Sequence, residues 1–173
     1  MNNAPMNSTP ELAQLASRLG NRLAARGWVA ATAESCTGGG IAAAITDIAG
    51  SSGWFDRGFV TYSNAAKQEL LGVLADTLAR VGAVSQETAG EMARGALLRS
   101  AAHLSVAVTG VAGPGGGSPE KPVGTVCFGY ATREDAVLTR RHVFAGDRAA
   151  VRRQTVVVAL EGLLALAEGR LPR

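Results

Sequence analysis

The sequence predicts a three-layer α/β/α sandwich around a mixed, mostly parallel sheet that ends in a C-terminal antiparallel hairpin. Two observations carry this expectation. Short apolar runs alternate with stretches of helical period along most of the chain, the order that places helices on both faces of a sheet. Near the end the alternation stops. Val123 to Tyr130 and Ala136 to Phe144 both read as strands and are joined through Arg133-Glu134-Asp135, a link suited to a hairpin and too short for a crossover. A length of 173 residues is enough for one domain with a real core, and no repeat or linker divides it. The expected domain covers residues 11–170, and the polar segment 1–10 reads as a loose tail.

Thr9-Pro10-Glu11 has the form of a helix start, with proline tolerated in the first turn. Leu12, Leu15, Leu19 and Leu23 then recur at helical spacing until Gly27. A strand over 28–33 follows, then a glycine corner and a helix over 38–48. Gly58 to Tyr62 reads as a strand. Asn64 is placed to cap a short helix that Gly72 closes. Ser85 caps another helix, with Glu87 in its first turn, running to about Ala102. Leu104 to Val108 is a compact strand, and a Gly/Pro-rich loop covers 109–122. After the hairpin, Asp147 caps a long last helix that reaches about Ala167.

Composition narrows the function classes. Hydrophobic residues make up 47% and charged residues 18%, the balance of a globular chain. The net charge of +3 is small and the arginines are dispersed, with short clusters only at Arg140-Arg141 and Arg152-Arg153, which argues against direct nucleic-acid contact. No apolar stretch approaches the roughly 18–20 residues that cross a bilayer. The first ten residues lack the pattern of a secretion signal, so a cytoplasmic location is expected. Cys36 and Cys127 lack CxxC spacing and read as free thiols. His103 and His142 have no ligand-spaced partner, so neither a metal nor another cofactor is expected.

Three loops collect small polar residues and glycine: 34–40, 61–67 and 109–117. The first and third follow strands, and the second spans a strand end and the helix after it. Ligands in α/β sheets gather beyond such ends, so one shared crevice is expected. Neither GxxxxGK[ST] nor a helix-opening GxGxxG is present, and Pro114 and Pro119 break the third loop. Its glycines still suit a backbone cradle for an anion.

Within these loops each residue has a plain role beside a chemical one. Ser35 is either an exposed nucleophile at a strand-to-helix corner or the cap of the helix after it. Lys67 in a helix's first turn faces the unfavourable end of the dipole, which would lower its pKa and make it a base, although spacing alone favours a solvated lysine. Cys36 has a thiol near a helix N-terminus but no histidine beside it in sequence. Tyr62 is a half-buried strand residue or a stacking partner for a flat heterocycle. Thr109 closes a turn or bonds a ligand, and Arg148 is a surface arginine or a phosphate partner. Glu34 is placed to orient the corner by accepting backbone hydrogen bonds.

Taken in order, Ala33-Glu34-Ser35-Cys36-Thr37-Gly38-Gly39, Gly50-Ser51-Ser52, Val60-Thr61-Tyr62-Ser63-Asn64, Lys67, Leu71-Gly72-Val73, Gly82-Ala83-Val84-Ser85, Thr109 to Gly116 and Lys121 to Val126 resemble the CinA C-terminal domain family. The likeness spans about residues 30–155. It implies a stand-alone member of the family, without the molybdopterin-binding-like domain of longer members. It also implies deamidation of nicotinamide mononucleotide to nicotinate mononucleotide and ammonia within pyridine nucleotide recycling, with a Ser–Lys pair and no metal. On this resemblance Ser35 is the nucleophile, Lys67 the base and Tyr62 a supporting catalytic residue. Thr37, Gly38, Thr109, Gly113, Gly115, Gly116 and Arg148 would bind substrate, with oxyanion donors near Thr37 and Gly38. The implied partner is a small pyridine nucleotide, with no membrane and no nucleic acid, and the apolar helices leave room for a homo-oligomer. A non-catalytic nucleotide-binding module and an amidase for another small carboxamide fit the same residues.

Overall fold

In a computed structural model the described residues are 9–134 and 136–173. Met1 to Ser8, most of the expected tail, and Asp135 of the expected hairpin turn lie outside them. Five strands form one sheet in the order β2-β1-β3-β4-β5. They are β1 (Ala30–Glu34), β2 (Phe55–Val60), β3 (Leu104–Gly110), β4 (Thr125–Thr132) and β5 (Val137–Val143). β1 pairs in parallel with both β2 and β3, whereas β3–β4 and β4–β5 are antiparallel. The sheet is therefore mixed as expected, but only two of its four pairings are parallel.

Six α-helices flank the sheet: α1 (Pro10–Arg26), α2 (Gly40–Thr46), α3 (Asn64–Leu71), α4 (Ala75–Val81), α5 (Gln86–Leu98) and α6 (Arg148–Ala167). Strand alternation divides the core into two layers. Ala30, Val106, Val108, Phe128 and Tyr130 face a cluster built with Leu19 and Leu23 of α1, Ile41 of α2 and Leu160 and Leu163 of α6. Ala31, Ala33, Ala107 and Ala131 face Leu71 of α3 and Met92, Ala93 and Ala96 of α5. The second layer is built from small residues, and it brings α5 very close to the sheet. A Cβ added at Gly129 of β4 would lie 2.0 Å from the Ala89 carbonyl oxygen of α5. Gly129→Ala must therefore push a helix backbone off the sheet. We expect it to cost about 1–3 kcal/mol, the usual range for overpacking, read as a lowered urea midpoint at unchanged slope.

Local chemistry explains most boundaries. Thr9 accepts from Leu12 N and caps α1, Pro10 opens that helix, and Gly27 closes it at φ 64°. Ser85 and Asp147 cap α5 and α6 as expected. The differences have physical causes. Ser63, not Asn64, caps α3, because its hydroxyl accepts from Ala66 N. The strand placed at 58–62 runs instead over Phe55–Val60, set by its parallel register with β1. α5 stops at Leu98, short of Ala102. Helix α4 carries no cap of its own. Glu91 of α5 supplies it, accepting from Leu74 N at 2.8 Å and from Thr77 Oγ1 at 2.5 Å.

Candidate active site

The site begins where β1 ends. Alternation turns Glu34 toward α2 and Ser35 toward α3 and α5. Glu34 is buried, and its carboxylate accepts from Thr37 Oγ1 at 2.6 Å, Ile41 N at 2.8 Å and Ala42 N at 3.0 Å. It therefore does the capping that the sequence left open to Ser35. Gly39, the cap residue by position, makes no side-chain cap bond and sits at φ 101°, in the left-handed region that favours glycine. The Ser35 hydroxyl is thus released from any capping duty, and α2 starts at Gly40, later than expected.

Lys67 meets that hydroxyl. It lies one position further into α3 than a cap at Asn64 would give, and helical side chains slope back toward the N-terminus. Its Nζ reaches Ser35 Oγ at 3.0 Å, the Thr61 carbonyl at 2.8 Å and the Tyr62 carbonyl at 3.3 Å. The residue is 1% exposed. Burial holds its pKa below the ordinary lysine value of 10.5, and only a weaker influence from Cys36 opposes this. A neutral amine has two N–H donors and one lone pair. In that neutral form the two carbonyls can take both donors and leave the lone pair facing the serine hydroxyl, whereas the charged form donates in all three contacts.

The Cys36 thiol has the opposite character. Burial is the main reason its pKa is pushed up to about 11, with Glu34 adding to the rise. It remains a protonated thiol at neutral pH, a poor nucleophile. Cys127 is also a free, buried thiol.

Ser35, Lys67, Tyr62, Thr109 and Arg148 line one cavity of about 210 Å³, together with Ala83 and Val84 from the segment before α5. The three loops do converge. Thr109 Oγ1 donates to the Ala83 carbonyl at 2.8 Å, which ties the end of β3 to that segment. Tyr62 is 64% exposed, a rim residue and not a half-buried one. Arg148 spans the rim, donating to the Gly113 carbonyl at 2.9 Å and reaching the Tyr62 hydroxyl at 3.4 Å. A second recess of about 600 Å³, between Pro114 and the start of α6, shares Ala112 and Arg148 with this cavity.

The remaining expected site residues fall elsewhere. Thr37 and Gly38 border a separate groove on the α1–α6 side. The Gly38 N–H donates to the Ser35 carbonyl at 3.1 Å. Gly113 is held through its carbonyl, and Gly115 and Gly116 lie on the exposed part of their loop. Sequence reasoning gave Arg152 no role. Its Nε donates to the Cys36 carbonyl at 3.2 Å and a terminal nitrogen donates to the Thr37 carbonyl at 3.1 Å. The signal was available, because Arg148 and Arg152 are four apart and so share one face of α6.

The result is a five-stranded α/β domain with a buried lysine hydrogen-bonded to a serine at a strand-to-helix corner. The chain belongs to the CinA C-terminal domain family, whose profile matches residues 12–167. It is 57% identical over 157 residues to a protein of Enterobacter agglomerans named nicotinamide-nucleotide amidohydrolase PncC, covering 91% of this chain and 96% of that one. A Pseudomonas putida protein of the same name is 57% identical over 152 residues, covering 88% and 94%. The crystal structure of a competence/damage inducible protein from Agrobacterium tumefaciens superposes with a TM-score of 0.89 at 50% identity, covering 96% of this chain and 99% of that one. Among the described residues no helix is long and apolar enough to cross a membrane.

Proposed function

We propose that the protein hydrolyses the carboxamide of nicotinamide mononucleotide, giving nicotinate mononucleotide and ammonia, as a step in recycling pyridine nucleotides. The observation that carries this reading is the 3.0 Å contact between Lys67 Nζ and Ser35 Oγ with the lysine sealed from water. The names of the relatives supply the substrate.

In this reading Lys67 is neutral in the resting enzyme and takes the Ser35 proton as Oγ attacks the carboxamide carbon. The tetrahedral intermediate collapses as the lysinium returns that proton to the leaving nitrogen, and ammonia departs. Water, activated by the same amine, then hydrolyses the acyl-serine. The pyridine ring lies in the inner cavity beside Tyr62. The recess beyond Arg148 takes the ribose and 5′-phosphate, and the guanidinium faces the phosphate. The small-molecule partner is then a pyridine nucleotide. No nucleic acid takes part, and the working compartment is the cytoplasm.

Ammonia release from a panel of pyridine nucleotides and simple carboxamides tests the assignment. Turnover of nicotinamide mononucleotide well above free nicotinamide is expected. Tight binding of the nucleotide without any ammonia would reveal a binding module instead. Arg148→Ala should raise KM for the nucleotide about tenfold or more, as expected for loss of a charge-assisted contact, while kcat changes little. Equal effects on nicotinamide, which has no phosphate, would refute the role given to Arg148.

A further inference from the structure

Five N–H groups around the nucleophile corner are already engaged. Gly38 N donates to Ser35 O, Gly40 N to Thr37 O and Ala43 N to Gly39 O. Ile41 N and Ala42 N donate to the Glu34 carboxylate. These five N–H groups are therefore unavailable to an oxyanion. The Thr37 N–H, inside the turn closed by the Gly38–Ser35 bond, is not among them, whereas the Cys36 N–H is turned to the residue's own sulfur.

The direction of the Thr37 N–H is fixed from outside. In a planar trans peptide the carbonyl and the following N–H point opposite ways. Arg152 pulls the Cys36 carbonyl toward α6. The Thr37 N–H, in the same peptide plane, must then point away from α6, toward the layer that holds Lys67 and receives the Ser35 hydroxyl. A second bond from the same guanidinium to the Thr37 carbonyl locks the turn as a unit. On the other side Glu34 holds the Thr37 hydroxyl.

We propose that Arg152 is a positioning residue of the nucleophile corner: by gripping the Cys36 carbonyl it aims the Thr37 N–H at the oxygen that becomes negative when Ser35 attacks. The inference rests on the amidase reading. It departs from the simpler view of Arg152 as a second phosphate ligand beside Arg148, a view its place on the wall of the outer recess would otherwise invite. Its two main-chain bonds hold the guanidinium against the nucleophile corner, where it serves the turn.

The test uses steady-state ammonia release by the full-length protein, Arg152→Ala and Arg152→Lys, with nicotinamide mononucleotide and its thiocarboxamide analogue. Loss of one oxyanion donor typically lowers kcat about 10²–10³-fold, and a misaimed donor should lose part of that. Arg152→Ala should therefore lower kcat about 10- to 100-fold with KM nearly unchanged. Arg152→Lys, which keeps the charge but lacks the planar fork that holds both carbonyls in a fixed geometry, should fall between it and the parent. Sulfur accepts hydrogen bonds poorly, so the parent should favour the oxygen substrate strongly, and this preference should shrink about tenfold in Arg152→Ala. A general loss of structure would slow both substrates alike and leave the preference intact, which would overturn the proposal. A raised KM with kcat preserved would overturn it too, by making Arg152 a phosphate ligand. Absence of turnover in the parent protein would count against the amidase reading instead.

Discussion

Replacing the Ser35 hydroxyl with hydrogen should abolish ammonia release from nicotinamide mononucleotide while leaving the nucleotide bound. Ser35→Ala removes the attacking atom and nothing that holds the fold: the backbone bonds of Ser35 to Val108 and Gly38 persist, and its hydroxyl caps no helix. Loss of a nucleophile in a serine hydrolase costs about 10⁴-fold or more in kcat. Titration calorimetry should give a dissociation constant for the nucleotide within a few-fold of the parent. Hydrolysis at the parent rate by Ser35→Ala would end the Ser–Lys mechanism. The Cys36 thiol, next in sequence, is then the group to examine, although burial keeps it protonated.

The second large effect concerns Lys67. Lys67→Met keeps most of the buried stem and removes the amine, so it separates packing from chemistry. We expect kcat to fall about 10²–10⁴-fold, the range for loss of a positioned general base. The pH dependence has a definite sign. The base must be neutral to accept the serine proton, so kcat/KM rises with pH as Lys67 loses its charge and then levels off. Burial lowers the lysine pKa below 10.5, so the plateau begins at lower pH than an exposed lysine would allow. Lys67→Met should lose this limb along with the rate. A profile in the parent that stays flat across the whole range in which a lysine can titrate would remove Lys67 as the base.

Much of this site was legible in the chain. Glu34 to Gly40 announced a corner, because small and polar residues there follow an apolar strand, and Glu34 does accept the backbone bonds that were expected of it. Helix starts at Thr9, Ser85 and Asp147 were readable because each helix is capped by a residue adjacent to it in sequence. Where a cap comes from elsewhere the local signal disappears. α4 was missed because Glu91, on another helix, does its capping. Ser35 remained open between cap and nucleophile because the true cap of α2 reaches back from the strand itself.

The sequence by itself determined the order of the strands and of every helix but α4, the hairpin at the end, the three loops that meet, and the residue types that the proposed acyl transfer needs. These follow from periodicity, turn chemistry and side-chain class, all properties of neighbours along the chain. Only the tertiary structure decided that Ser35 and Lys67, 32 residues apart, lie at hydrogen-bond distance. It alone showed that the lysine is buried, and that Arg152, 115 residues beyond Thr37, grips the nucleophile corner. The reason is physical. A lysine becomes a base when surrounding elements strip its water, and a peptide N–H acquires a direction when a distant side chain holds the carbonyl in its plane.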